Sequence, residues 1–123
     1  MHNVLFINNK YKIKIIIMKE YPNEATERFD DAQLHIKYCV SFIKKYLKKQ
    51  VLEIGAGCGS FTDNYYNNDI KELIVNDADK QNLRTLKKKY SKNKKIKVTK
   101  LGVNSFKKKF DTIIYLHVLE HIK

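Results

Sequence analysis

Val51-Leu52-Glu53-Ile54-Gly55-Ala56-Gly57-Cys58-Gly59-Ser60-Phe61 joins an apolar run, an acidic residue and three alternating glycines. Val51, Leu52 and Ile54 suit a buried strand, and the glycines predict a tight turn in which no Cβ obstructs the main chain. A helix is expected to open after Gly59. Its free N–H groups and positive dipole end would face back to the loop and favour an anionic or strongly accepting group there, such as a nucleotide-like cofactor.

Spacing narrows the choice of cofactor. In the dinucleotide fingerprint G-x-G-x-x-G/A the last position would fall on Ser60, while the third glycine comes one residue early, at Gly59. The loop therefore fits NAD poorly, and an NAD-dependent oxidoreductase is the weakest of the functional readings. A glycine loop by itself is unspecific, so the flanking sequence must carry the assignment.

Downstream, a helix of about two turns is expected through Tyr66, followed by a turn at Asn67-Asn68-Asp69. Residues 73–75 read as a second buried strand, ending at Asn76-Asp77-Ala78-Asp79. Asp77 lies 22 positions after Gly55, near the roughly 20-residue spacing at which an acidic side chain meets a ribose in Rossmann-type sites. A carboxylate suits that place because its two oxygens can accept both vicinal hydroxyls. Asp79 reads as the N-cap of a helix over 80–90, with the reverse assignment of the two aspartates as the competing reading. Residues 96–101 alternate as a third strand, 110–116 form a fourth, and 117–122 open a further helix. This order implies a parallel α/β sheet, with a ligand at the switch point between the first and fourth of these strands.

Upstream, residues 4–7 and 11–18 are β-like runs around Asn8-Asn9-Lys10 and read as a hairpin or an N-terminal extension over 1–20. Lys12 and Lys14 interrupt the apolar run that a secretory signal needs. Met1 and Met18 are both available as the start. Tyr21-Pro22-Asn23 breaks the chain, and Asn23 is placed to cap the next helix. Phe29, Ala32, Ile36, Val40, Ile43 and Leu47 recur at helical spacing, so an amphipathic helix is expected, divided at Asp30-Asp31. Lys44, Lys45, Lys48 and Lys49 would end it, where cations suit the dipole. Residues 21–123 thus read as one domain.

Composition excludes several classes. The chain has 123 residues, 43% of them hydrophobic, and no apolar tract long enough to cross a membrane. Cys39 and Cys58 have neither metal-ligand nor C-x-x-C spacing, which points to a reducing cytoplasm. The net charge of +12 invites a nucleic-acid reading. Of 25 basic residues, however, only Arg28 and Arg84 supply the bidentate fork on which base reading leans. The lysines read as solvated faces, and no specific nucleic-acid partner is expected.

Taken together, Glu53-x-Gly55-x-Gly57-x-Gly59, the run D-A-D-K-Q-N-L from Asp77 and F-D-T-I-I-Y-L-H-V-L-E-H-I from Phe110 resemble the class I S-adenosylmethionine (SAM) dependent methyltransferases. Within that class they are similar to the methyltransferase type 11/12 group. The resemblance covers about residues 36–123. It implies a Rossmann-like parallel sheet with helices on both faces, here about four core strands of a seven-stranded family sheet in the order 3-2-1-4-5-7-6. Glu53, Gly55, Ala56, Gly57 and Gly59 would wrap the methionine part of SAM, Asp77 would hold the ribose, and Ala78 would lie against the adenine. Asn104 or Ser105 would replace the aspartate that often accepts from the adenine amine. Leu116 and His117 would line the pocket near the methyl group, with His117 as a weak general-base candidate. His117, Glu120 and His121 have metal-ligand spacing, but metal-free relatives share V-L-E-H and no metal is expected. The implied reaction is methyl transfer to an unidentified small-molecule or macromolecular acceptor. The alternative is a SAM-binding fragment, cut after the fourth strand and without turnover. In either case the apolar edge of that strand would invite self-association.

Overall fold

The computed structural model describes residues 3–9, 12–18, 29–100 and 107–115, with side chains over 33–100 and 107–115. β1 (Asn3–Asn9) and β2 (Lys12–Met18) pair antiparallel as a hairpin, with Leu5 opposite Ile16. α1 (Phe29–Ile43) follows and tightens into a 3-10 turn at Lys44–Tyr46. It is not divided at Asp30-Asp31, which lie inside it. The helix ends before its lysines: Lys44 and Lys45 belong to the 3-10 turn, and Lys48 and Lys49 to the connection beyond.

β3 (Gln50–Ile54), α2 (Ser60–Tyr65), β4 (Glu72–Asn76), α3 (Lys80–Lys89), β5 (Ile96–Thr99) and β6 (Thr112–Tyr115) complete the described elements. The four strands β3 to β6 are parallel and lie in the order β5-β4-β3-β6. This is the expected 3-2-1-4 arrangement. β3 is central, and the chain builds outward through β4 and β5 before returning to its other side as β6. That reversal lies at β3, whose carboxyl end is where open α/β sheets of this kind take their ligands.

Strand alternation divides the core in two. Val51 of β3, Leu73 and Val75 of β4, Ile96 of β5 and Ile114 of β6 point to one face, where they meet Val40 and Ile43 of α1, Tyr65 of α2 and Leu86 of α3. From the predicted apolar stripe of α1, Ile36, Val40 and Ile43 are the described side chains that pack here. Leu52, Ile54 and Ile74 point to the other face and pack with Phe110, Ile113 and Tyr115. Phe110, expected to begin the fourth strand, instead precedes β6. The 3-10 turn is tied to the sheet by the Thr112 hydroxyl, which is buried and donates to the Tyr46 carbonyl at 2.8 Å.

Candidate cofactor site

β3 and β4 end side by side, with Ile54 opposite Asn76, and the chain leaves β3 through residues 55–59. The Asn76 carbonyl accepts from Gly55 N at 2.9 Å and from Ala56 N at 3.0 Å, so β4 clamps the start of the loop. Gly57 and Gly59 both lie in the left-handed region, with φ of 59° and 89°, yet they meet different surroundings. A Cβ on Gly57 would meet nothing within 4 Å, whereas one on Gly59 would lie 2.5 Å from the Tyr90 hydroxyl and 3.2 Å from Leu86 Cδ2. Gly57 therefore fronts open space. Gly59 lets the end of α3 close against the loop.

Asp77, just past β4, is 8% exposed. Its Oδ2 accepts from Gly57 N at 2.8 Å, and its Oδ1 accepts from Asp79 N at 2.8 Å and from Asn82 Nδ2 at 3.4 Å. The ribose candidate and the middle glycine are thus in direct contact. Asp79 makes the predicted cap, its side chain accepting from Asn82 N at 2.8 Å. Ala78 sits exposed between the two aspartates. A carboxylate offers about four acceptor positions. Among the described residues three donors reach Asp77, and the Asn82 contact is the longest, so that within this set hydroxyls can be accepted by one remaining position and by displacing Asn82.

Glu53 occupies a different place. It points to the helix face of the sheet, is 1% exposed, and its Oε2 accepts from the Thr62 hydroxyl at 2.6 Å and from the Tyr65 hydroxyl. Burial pushes the Glu53 carboxyl up to about 7, against the lowering effect of the two hydroxyl donors. Burial, followed by the adjacent Glu53 charge, also raises the Tyr65 phenol well above its ordinary value. The group fastens α2 beneath the loop rather than facing the crevice. Thr62 and Tyr65 are three residues apart and share a face of α2, a spacing that could have signalled the pairing.

A second fastening lies outside the loop. Asp63 accepts from the Tyr90 hydroxyl at 2.6 Å and pairs with Lys89, whose Nζ also donates to the Cys58 carbonyl at 3.0 Å. Cys58 is exposed and Cys39 buried, and burial raises the Cys39 thiol to about 11. Asn104, Ser105, Leu116, His117, Glu120 and His121 lie outside the described residues. Among the described residues, no three acidic, histidine or cysteine side chains gather as a metal site.

A methyltransferase domain model matches residues 52–123, more than half of the chain and the whole of the glycine loop. The chain belongs to the methyltransferase domain family. The family fold is matched by solved structures at low identity. A spermidine synthase from Thermotoga maritima is 17% identical, with 95% of this chain and 44% of that one covered at a TM-score of 0.54. A spermidine synthase in complex with the transition-state analogue AdoDATO is 17% identical over 93% and 42%, with a TM-score of 0.51. Coclaurine N-methyltransferase bound to N-methylheliamine and SAH is 14% identical over 72% and 27%, with a TM-score of 0.49. The chain thus spans less than half the length of each of these three structures. Among curated proteins no sequence matches significantly. Membership of the methyltransferase family implies a capacity to bind SAM.

Proposed function

We propose that this chain binds SAM and its demethylated product in the crevice formed by the glycine loop and Asp77, as part of a methyltransferase acting on an unidentified small-molecule or macromolecular acceptor. The contact between Gly57 and Asp77 carries the reading. It joins a main-chain segment open to close approach with a carboxylate that can take a diol, at the carboxyl ends of two parallel strands. Gly55, Ala56 and Gly57 would hold the methionine part, Asp77 the ribose and Ala78 the base. When bound, SAM supplies a methyl group already activated on a sulfonium. The contribution of these residues is to hold it in one orientation. We place the protein in the cytoplasm, with no specific nucleic-acid partner. No helix among the described residues is long and apolar enough to cross a membrane.

Calorimetry on two variants tests the site. Asp77→Asn keeps an acceptor oxygen but removes the charge, which costs on the order of 1.5–3 kcal/mol for a charge-assisted pair, roughly 10- to 100-fold in SAM affinity. Gly57→Ala places a methyl group in the space the ligand would use. It is expected to abolish measurable SAM binding while destabilising the fold by only about 1–2 kcal/mol through its left-handed backbone. Unchanged SAM affinity in both variants would rule out the crevice as the binding site.

A further inference from the structure

We propose that the amino-end face of the parallel sheet holds a nucleic-acid duplex by its phosphate backbone, without reading its bases. Along the sequence the lysines read as solvated faces, but the fold gathers many of them at one end. Each connection that enters a strand is basic: K-K-Y-L-K-K over 44–49 leads into β3, Lys71 into β4, K-N-K-K over 92–95 into β5 and K-K-K over 107–109 towards β6. Every one of these lysines is exposed. Because the strands are parallel, the connections entering them lie at the same end of the sheet. Main-chain bonds seat them side by side: Lys71 N donates to the Lys49 carbonyl at 2.8 Å, Leu73 N to the Lys95 carbonyl at 2.8 Å and Asp111 N to the Gln50 carbonyl at 2.9 Å.

Few carboxylates offset this charge. In the described parts of these connections and at the first residues of their strands, the acidic residues are Asp69, Glu72 and Asp111. Glu72 is engaged by Lys97 and Lys108, and Asp111 Oδ2 accepts from Gln50 N at 3.0 Å. The described residues at the other end, beside the glycine loop, set Asp77 and Asp79 against Lys80 and Lys100. Four strands spaced about 4.8 Å apart make a row about 15 Å long. A duplex carries one phosphate charge per roughly 1.7 Å of its axis, so several lysines can neutralise phosphates at once. Lysine serves there as a point charge and lacks the arginine fork that reads guanine, which makes the binding independent of sequence. A bilayer suits the face less well, because such binding grows with the apolar area that can be buried. The large apolar side chains exposed among the described residues, Leu34 and Tyr38, both lie on α1. The basic face is a strand's length, about 15 Å, from the glycine loop, so the duplex is held away from the cofactor site and the proposal does not depend on that site.

Fluorescence anisotropy of the full chain with labelled duplexes of about 20 base pairs, in two unrelated sequences, tests this between about 50 and 200 mM salt. Lys49→Gln, Lys71→Gln and Lys94→Gln combined are compared with Lys37→Gln, Lys80→Gln and Lys100→Gln combined, exposed lysines elsewhere whose loss changes the net charge equally. The parent is expected to bind both duplexes alike. The first triple variant should bind about tenfold or more weakly near 100 mM salt and lose about 2–3 from the slope of log affinity against log salt. The second should stay within about threefold of the parent, since exposed charges beyond a Debye length are screened. No binding by the parent at about 50 mM salt would overturn the proposal, as would equal losses in the two triple variants or a roughly tenfold preference for one duplex. Tighter binding to phosphatidylserine vesicles than to either duplex would also overturn it, by showing that an anionic membrane is the partner.

Discussion

Replacing Gly59 by alanine is expected to cost about 3 kcal/mol of folding stability, far more than a glycine-to-alanine change in an open loop. A left-handed backbone contributes about 1–2 kcal/mol of this, and forcing a Cβ into filled space adds about 1–3 kcal/mol. The obstruction is specific: Tyr90 Oη would lie 2.5 Å from the new carbon, while Leu86 Cδ2 and Tyr90 Cζ would lie at 3.2 and 3.3 Å. Removing the hydroxyl should therefore restore part of the loss. Tyr90→Phe destabilises the parent by giving up its bond to Asp63, yet it should be less damaging, or even helpful, beside Gly59→Ala. Urea unfolding of the four chains in a double-mutant cycle measures the coupling, expected at about 1 kcal/mol or more. Additive effects, or a Gly59→Ala cost no larger than that of Gly57→Ala, would contradict the packing described for the end of α3.

The other large effect is a pH dependence that belongs to Glu53. The folded chain holds the Glu53 proton up to about pH 7, and an unperturbed carboxyl releases it near 4.5. Between those values the folded state binds more protons than the unfolded one, so the stability this group contributes is full below pH 4.5 and is lost as pH rises through 7. The loss is on the order of 3 kcal/mol, because each tenfold difference in proton affinity between the two states corresponds to about 1.4 kcal/mol. Glu53→Gln keeps the shape, still offers an acceptor to Thr62 and Tyr65, and does not titrate. Its stability relative to the parent should improve by a few kcal/mol from about pH 4.5 to about pH 8, as read from denaturant midpoints at constant ionic strength. A constant difference across that range would show that the carboxyl is not held neutral in the core.

Local signals carried most of the fold. The apolar runs of β3 and β4, the alternation of β5 and the cap at Asp79 each depend on residues a few positions apart, and each is found where expected except that β5 stops at Thr99, before Lys100. The contact between Asp77 and Gly57 was half legible. The spacing marked both residues, but the 2.8 Å bond between them arises only when β3 and β4 pair in parallel. Tyr90 against Gly59 was not legible, since its 31-residue separation is closed by α3 packing on the sheet. The end of α1 at Ile43 was also missed, because a run of lysines reads equally well as a helix terminus or as a solvated connection. Glu53 shows the limit of pattern reading. An acidic residue two positions before a glycine loop looks like a ligand-binding group, but strand alternation turns its side chain to the helix face, where Thr62 and Tyr65 hold it.

Titration of the ¹⁵N-labelled chain with SAM, and in parallel with NAD, puts the cofactor site to the sharpest test because it reads the loop itself. The Gly57 amide donates to Asp77 and fronts the open crevice, so a ligand entering there must perturb it. Saturable shifts at Gly55, Ala56, Gly57 and Ala78 with SAM, and none with NAD, are the predicted result. Saturable shifts at those amides with NAD alone, or no shift there at millimolar SAM, would contradict a SAM site at this loop.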